Sequence, residues 1–311
     1  MNSAIIIGAG AIGCLYGSKL SEAGLAVSLV SQSIATAAKD HIPQIQIDSP
    51  WGNQAFTPQH VYTNASEAAP TDIIIISAKT TDIPTLIADT ALLVSEKTQA
   101  ILLLQNGIHI ETDWQTAFPE TPLISGLAFV CCFRHSPLHI EHQDYGRIMI
   151  GDFPNGIGES TRTLASLWQS VGVPVITTER VQQARWKKLL WNAAFNSLSV
   201  CNGGQDTQAL LATHEGETLA RSIMQEVQAL AKADGYTLSD EDIERNITDT
   251  RNMTPYKTSM LRDYENNRPL ETEAILGNAL RFARSKQIEV PQIEALYAQL
   301  ALSQRFEQSE A

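Results

Sequence analysis

Residues Gly8-Ala9-Gly10-Ala11-Ile12-Gly13 follow directly on the apolar run Ala4-Ile5-Ile6-Ile7. No other stretch narrows the fold as much, because each glycine has a separate task in one geometry. Gly8 permits a tight turn, Gly10 lets backbone N–H groups approach a ligand, and Gly13 lets a helix pack closely on the preceding strand. The helix start then offers unpaired N–H groups and partial positive charge, which suits a pyrophosphate. A glycine-rich turn that binds nothing is the bland alternative. Against it stand the strand before, a helix expected over residues 14–23 and closed by Gly24, and a second strand over residues 26–30.

A chain of 311 residues exceeds one ordinary core and suits two domains. A hydrophobic fraction of 43% and a charged fraction of 18% are those of a soluble globular protein. The net charge of −12, with no Lys/Arg block, argues against nucleic acid as a partner. Cys14, Cys131, Cys132 and Cys201 form neither a CxxC nor a metal spacing, so they read as reduced thiols of a cytoplasmic protein with no metal site. His135, His139 and His142 read as surface or structural residues. The first strand begins almost at Met1, so no signal peptide is expected, and the longest apolar runs are strand-length, so no membrane span is expected.

The first half alternates strand and helix patterns. Apolar runs at 73–76 and 100–104 read as strands buried on both faces, with a helix over 83–94 between them. Later strands are expected at 123–130, 138–141, 147–150 and 173–177, and a helix at 161–171. This predicts an α/β Rossmann-type domain, a doubly wound and mainly parallel sheet, over residues 1–178. From residue 181 the pattern is helical: 181–200, 209–234, 240–253, 270–285 and 291–302, punctuated by Gly203-Gly204 and Gly235. Residues 179–311 are therefore expected to form an all-α domain, with a hinge near residues 178–180.

Ligands of open α/β sheets bind outside the carboxyl ends of the strands. Lys79 follows the 73–76 strand and Asn106 the 100–104 strand, two polar residues at such ends. Lys79 could be a solvated loop lysine, and Asn106 a turn residue before Gly107. Together at one edge they favour a ligand. In the run from Trp186 to Asn196, apolar nearly all round, Lys188, Asn192 and Asn196 lie four apart and form one polar stripe. Buried amines and amides are costly without partners, which a ligand would supply. Ser259 could be a helix cap, and Glu271 a first-turn carboxylate.

At these spacings the chain resembles the ketopantoate reductases (2-dehydropantoate 2-reductases) over essentially its whole length. The matching features are Gly8-x-Gly10-x-x-Gly13, Lys79, Asn106-Gly107, Lys188-x-x-x-Asn192-x-x-x-Asn196, Ser259-Met260-x-x-Asp263, Arg268-Pro269-x-Glu271, Gly277 and Val290-Pro291. The resemblance implies NADPH-dependent reduction of a 2-keto acid, ketopantoate to pantoate, toward pantothenate and coenzyme A, in a cleft between two domains. It implies Lys188 as proton donor with Glu271 beside it, and Asn106, Asn192, Asn196 and Ser259 as substrate ligands. Gly8, Ala9, Gly10, Ala11, Ile12, Gly13, Ser31, Gln32, Lys79, Asn106 and Glu271 would hold the cofactor. The expected partners are a small 2-keto acid and, at most, a second copy in a homodimer.

Three places depart from the family pattern. Ser31-Gln32-Ser33 stands where an arginine for the 2′-phosphate is usual, and no acidic residue is there to favour NAD. NADPH is the expected cofactor, with relaxed preference left open. A downstream family asparagine falls at Asp206 on direct count, or at Asn202 if the loop is shorter, and Ser197 replaces a common proline. A paralogous reductase of another 2-keto acid, or a non-catalytic dinucleotide-binding regulator, are the competing readings.

Overall fold

The computed structural model describes residues 1–38 and 41–308. They fall into two compact units, Met1–Gln105 with Ile110–Val181, and Asn106–His109 with Gln182–Ala311.

The first unit is built on one sheet of β1 (Ser3–Ile7), β2 (Ala26–Val30), β3 (Ile45–Asp48), β4 (Gln54–Phe56), β5 (Val61–Tyr62), β6 (Ile73–Ile76), β7 (Ala100–Leu103), β8 (Leu123–Ser136), β9 (His139–Asp152) and β10 (Val175–Thr177). The order is β4-β3-β9-β8-β7-β6-β1-β2-β5, with β10 beside β9. The antiparallel pairings among the described residues are β8–β9 and β3–β4; the others are parallel. The chain leaves β1 for β2 on one side and later reaches β6 on the other, so the carboxyl end of β1 is a topological switch point. The glycine turn lies there.

Helices α1 (Ala11–Glu22), α2 (Gln32–Ala38), α3 (Ile83–Ala91), α4 (Glu111–Ala117) and α5 (Glu159–Ser170) flank the sheet. Alternate residues of β1 enter separate cores: Ala4 and Ile6 pack with Leu15 and Leu20 of α1, Ile5 and Ile7 with Leu86 of α3 and Trp114 of α4. That explains the unbroken apolar runs of the central strands.

Two features of this sheet differ from the sequence expectation. The three short strands expected over 123–150 are one hairpin of two 14-residue strands. Its register shifts at Phe129/Val130, Cys131/Cys132 and Arg134/Ser136, and each shift breaks the two-residue alternation that marks a strand. The short strands β3 to β5 carry too few residues to show a period. All four cysteines are free thiols, and burial pushes Cys14 up to about 12. His142 bonds Ser49 Oγ at 2.8 Å and His139 pairs with Asp48 at 2.8 Å.

The second unit is helical: α6 (Val181–Trp191), α7 (Ser197–Cys201), α8 (Thr207–Leu211), α9 (His214–Ala233), α10 (Asp240–Asn252), α11 (Ser259–Glu265), α12 (Asn278–Lys286) and α13 (Pro291–Gln308). Buried residues of α9 recur at helical spacing, Ala220, Ile223, Met224, Val227, Leu230 and Ala231, and form the centre of the core. Thr213 caps α9 by accepting from Gly216 N, which divides the single helix expected over 209–234 into α8 and α9. The helix expected over 181–200 is continuous but widens into a π turn at Asn192–Asn196, and a second π turn, Glu273–Gly277, leads into α12. No helix is long and apolar enough to cross a membrane among the described residues.

Candidate active site

In the first unit, the glycine turn has the shape its spacing predicts. Gly8 has φ +82°, and a Cβ there would lie 2.3 Å from the Ala78 backbone. A Cβ on Gly13 would meet Ser77 Oγ at 2.4 Å and Ile6 Cγ2 at 3.0 Å, so the helix rests directly on the strand. Above Gly10, by contrast, the nearest protein atom to such a Cβ would be 3.9 Å away. Gly10 is the N-cap of α1, no side chain caps that helix, and its first turn holds no acidic residue. These residues fit a dinucleotide pyrophosphate, the open approach lying at Gly10 and the uncapped N–H groups at Ala11, Ile12 and Gly13.

Other candidate cofactor residues lie at the same strand ends. Ser31 follows β2, and its Oγ lies 3.3 Å from Ser33 Oγ and accepts from Ile34 N at 3.4 Å. Gln32 is exposed at the start of α2, and Lys79 follows β6 partly buried.

In the second unit, three expected residues meet. Lys188 Nζ donates to Asn106 Oδ1 at 2.9 Å, and Asn106 Nδ2 donates to Glu271 Oε2 at 3.2 Å. Asn106 is thus a neutral bridge from the amine to the carboxylate. It belongs here rather than with the first domain because residues Asn106–His109 are fastened to this unit. Ile108 N donates to Ala274 O at 3.0 Å, Asn278 Nδ2 to Ile108 O at 2.8 Å, and Arg185 Nη1 to Gly107 O at 3.2 Å. The His109 ring bonds Asp234 at 2.8 Å, an oxygen that also accepts from Trp186 Nε1 at 2.8 Å. Gly107, at φ +110°, passes so close to the second π turn that a Cβ would lie 2.6 Å from Ala274 O.

Lys188 keeps some accessible surface, yet its ammonium is surrounded closely enough that desolvation dominates its titration. Desolvation and the like charge of Arg185 push it down to about 7, and Glu271 works against both. Lys188 is therefore near its midpoint at neutral pH, a suitable position for a proton donor. Asn192 and Asn196 open and close the π turn and are 6% and 1% exposed. Asn196 Oδ1 and Ser197 Oγ are buried without a hydrogen-bond partner among the described residues, an expense that a ligand would relieve. π turns of this kind recur at functional sites.

The remaining candidates lie outside this hydrogen-bonded set. Ser259 is exposed, and its side chain makes no hydrogen bond among the described residues; the cap of α11 is its neighbour Thr258, which accepts from Leu261 N and bonds Ser199. Asp206 caps α8 through Ala209 N, and Asn202 Nδ2 donates to Leu198 O. Arg185 is not among the residues expected at the site, although an arginine one turn before Lys188 in an apolar helix is an available signal in the sequence. Among the described residues no cluster of ligands could hold a metal ion.

Comparison with known proteins gives the family. Residues 4–155 match the model of ketopantoate reductase PanE/ApbA, and residues 180–304 match that of its C-terminal domain. The chain belongs to the ketopantoate reductase family. A 2-dehydropantoate 2-reductase of Nostoc sp. is 33% identical over 303 residues, covering 95% of this chain and 93% of that protein. The crystal structure of 2-dehydropantoate 2-reductase from Methylococcus capsulatus is 40% identical, with a TM-score of 0.89 and coverage of 98% and 97%. A ternary structure of D-mandelate dehydrogenase with NADH and anilino(oxo)acetate shares the fold, with a TM-score of 0.89 and 19% identity over 98% and 99% of the two chains. The protein is thus an oxidoreductase of an NAD(P)H-dependent family, with an α/β Rossmann-type unit followed by a helical one.

Proposed function

We propose that this protein reduces ketopantoate to pantoate with NADPH, toward pantothenate and coenzyme A. The observation that carries the reading is the part-buried Lys188–Asn106–Glu271 relay, with a buried amide oxygen on Asn196, farther along the Lys188 helix, that has no partner among the described residues. Residues 8–13 would hold the pyrophosphate of the cofactor, which when bound would supply a hydride to the ketone carbon. Negative charge then develops on the carbonyl oxygen of the substrate, and Lys188 Nζ stabilises that charge and releases its proton to it. Asn106 orients the amine, while Glu271 counters part of the desolvation and so keeps a useful fraction of Lys188 charged. Asn192 and Asn196 offer amides to substrate oxygens, and Ser259 supplies a hydroxyl from the start of α11.

For the cofactor, Ser31, Gln32 and Ser33 offer hydroxyl and amide donors with no carboxylate to repel a 2′-phosphate, which supports NADPH over NADH. Lys79 contributes positive charge at the next strand end. A second reading, another 2-keto acid, is favoured by Ser197 in place of the usual family proline and by the use of Asp206 and Asn202 in helix ends. Steady-state oxidation of NADPH and NADH across a panel of 2-keto acids tests both. The highest kcat/KM is expected for ketopantoate with NADPH, and a clear preference for a different keto acid would replace the first reading with the second.

A further inference from the structure

Arg185 is among the largest fully buried side chains, 1% exposed, on the same helix face as Lys188 three residues later. Its Nη1 donates to Gly107 O, the carbonyl next to the residue whose side chain bridges Lys188 and Glu271. We infer that Arg185 is a positioning residue for the proton donor, holding Asn106 in register through the Gly107 carbonyl and presenting a like charge one helical turn before Lys188. This rests on the lysine-donor reading above.

The geometry leaves Gly107 little freedom. Its neighbour Ile108 is tied through both backbone groups, and Gly107 itself lies against Ala274. Arg185 supplies the bond on the Asn106 side of that anchored stretch. A lysine would preserve the charge but not the planar guanidinium, so the two roles separate by substitution. Two charged groups that act on Lys188 are Arg185 from its own helix and Glu271 from the segment ahead of the second π turn. Removing Arg185 takes away one of the two influences that lower Lys188 and leaves Glu271 opposing desolvation, so the amine holds its proton to higher pH.

The test is the pH profile of kcat/KM for keto-acid reduction in wild type, Arg185→Gln and Arg185→Lys, with thermal unfolding recorded for each. Reduction requires protonated Lys188, so the wild-type rate falls as pH rises through about 7. In Arg185→Gln the alkaline limb is expected to move up by about 1 pH unit, and kcat to fall about tenfold through the misplaced Asn106. In Arg185→Lys the limb stays in place while kcat still falls. A limb that does not move in folded Arg185→Gln overturns the inference, as does wild-type kcat in Arg185→Lys. If Arg185→Gln does not fold, a double-mutant cycle of Arg185→Lys with Asn106→Ala replaces it. Both changes act through one amide, so their costs in kcat are expected to be non-additive by about threefold or more, and strict additivity overturns the inference. Wild type without turnover on any 2-keto acid removes the proposed function and this inference together. A normal wild-type limb that the variant leaves unmoved removes this inference alone.

Discussion

Lys188→Met should stabilise the protein while removing its proposed proton donor, and should do so in a pH-dependent way. A fall from 10.5 to about 7 corresponds to about 5 kcal/mol of cost for holding the charged amine in the folded state, at about 1.4 kcal/mol per pH unit. Methionine removes that charge at similar length. It leaves Asn106 Oδ1 without the Lys188 donor, at a cost of about 1–3 kcal/mol. A net gain of about 2–4 kcal/mol is expected where the lysine is charged in both states. Its folded value lies below its unfolded value, so at pH 6 both states carry the proton and the folded state bears the whole cost. Between about pH 7 and 10.5 the unfolded chain binds more protons, and wild-type stability climbs with pH. The advantage of the variant is therefore largest at pH 6 and shrinks by pH 9.5. Urea unfolding of both proteins at the two pH values measures this. A variant less stable than wild type at pH 6, or an advantage independent of pH, would refute the burial argument.

Three further outcomes follow from the same geometry. Gly8→Ala places a Cβ 2.3 Å from the Ala78 backbone at a left-handed position, so NADPH affinity measured by nucleotide fluorescence should fall about tenfold or more, with about 2 kcal/mol lost in stability. Glu271→Gln removes the group that works against desolvation of Lys188, so the alkaline limb of kcat/KM should move to lower pH. A limb moving upward would contradict the assigned role. Desolvation raises the Asp234 carboxyl, but hydrogen bonds from His109 and Trp186 outweigh it and leave it below its ordinary value. Its stabilisation is present at neutral pH and lost as pH falls through the folded value. Asp234→Asn should thus cost about 1–2 kcal/mol at pH 7 and progressively less below pH 4 in urea titrations.

The parts of the fold that were readable in the sequence are those governed by local period and local turns. The run from Ala4 to Gly13 announces strand, turn and helix by its local spacing, although the atoms that leave no room for a Cβ at Gly8 and Gly13 include Ala78 and Ser77, beyond the end of β6. The stripe of Lys188, Asn192 and Asn196 was visible because a helix maps spacing onto one face. Asn106 was visible as a candidate, but its membership of the helical unit depends on bonds from Arg185, Ala274, Asn278 and Asp234, up to 172 residues away in sequence. The π turn at Asn192–Asn196 escapes because residues 192–200 are buried all round, so the shift in phase from one inserted residue leaves no mark on the apolar pattern. Thr258 and Ser259 are adjacent hydroxyls, and only backbone geometry decides that the first is the cap. The long hairpin was fragmented by its own bulges.

The most direct test of the account compares wild type with Lys188→Ala, measuring ketopantoate-dependent NADPH oxidation and NADPH binding on the same preparations. The account predicts turnover in wild type, a loss of about a thousandfold or more in the variant, and a cofactor Kd changed by less than about threefold. Turnover by Lys188→Ala at the wild-type rate would contradict it.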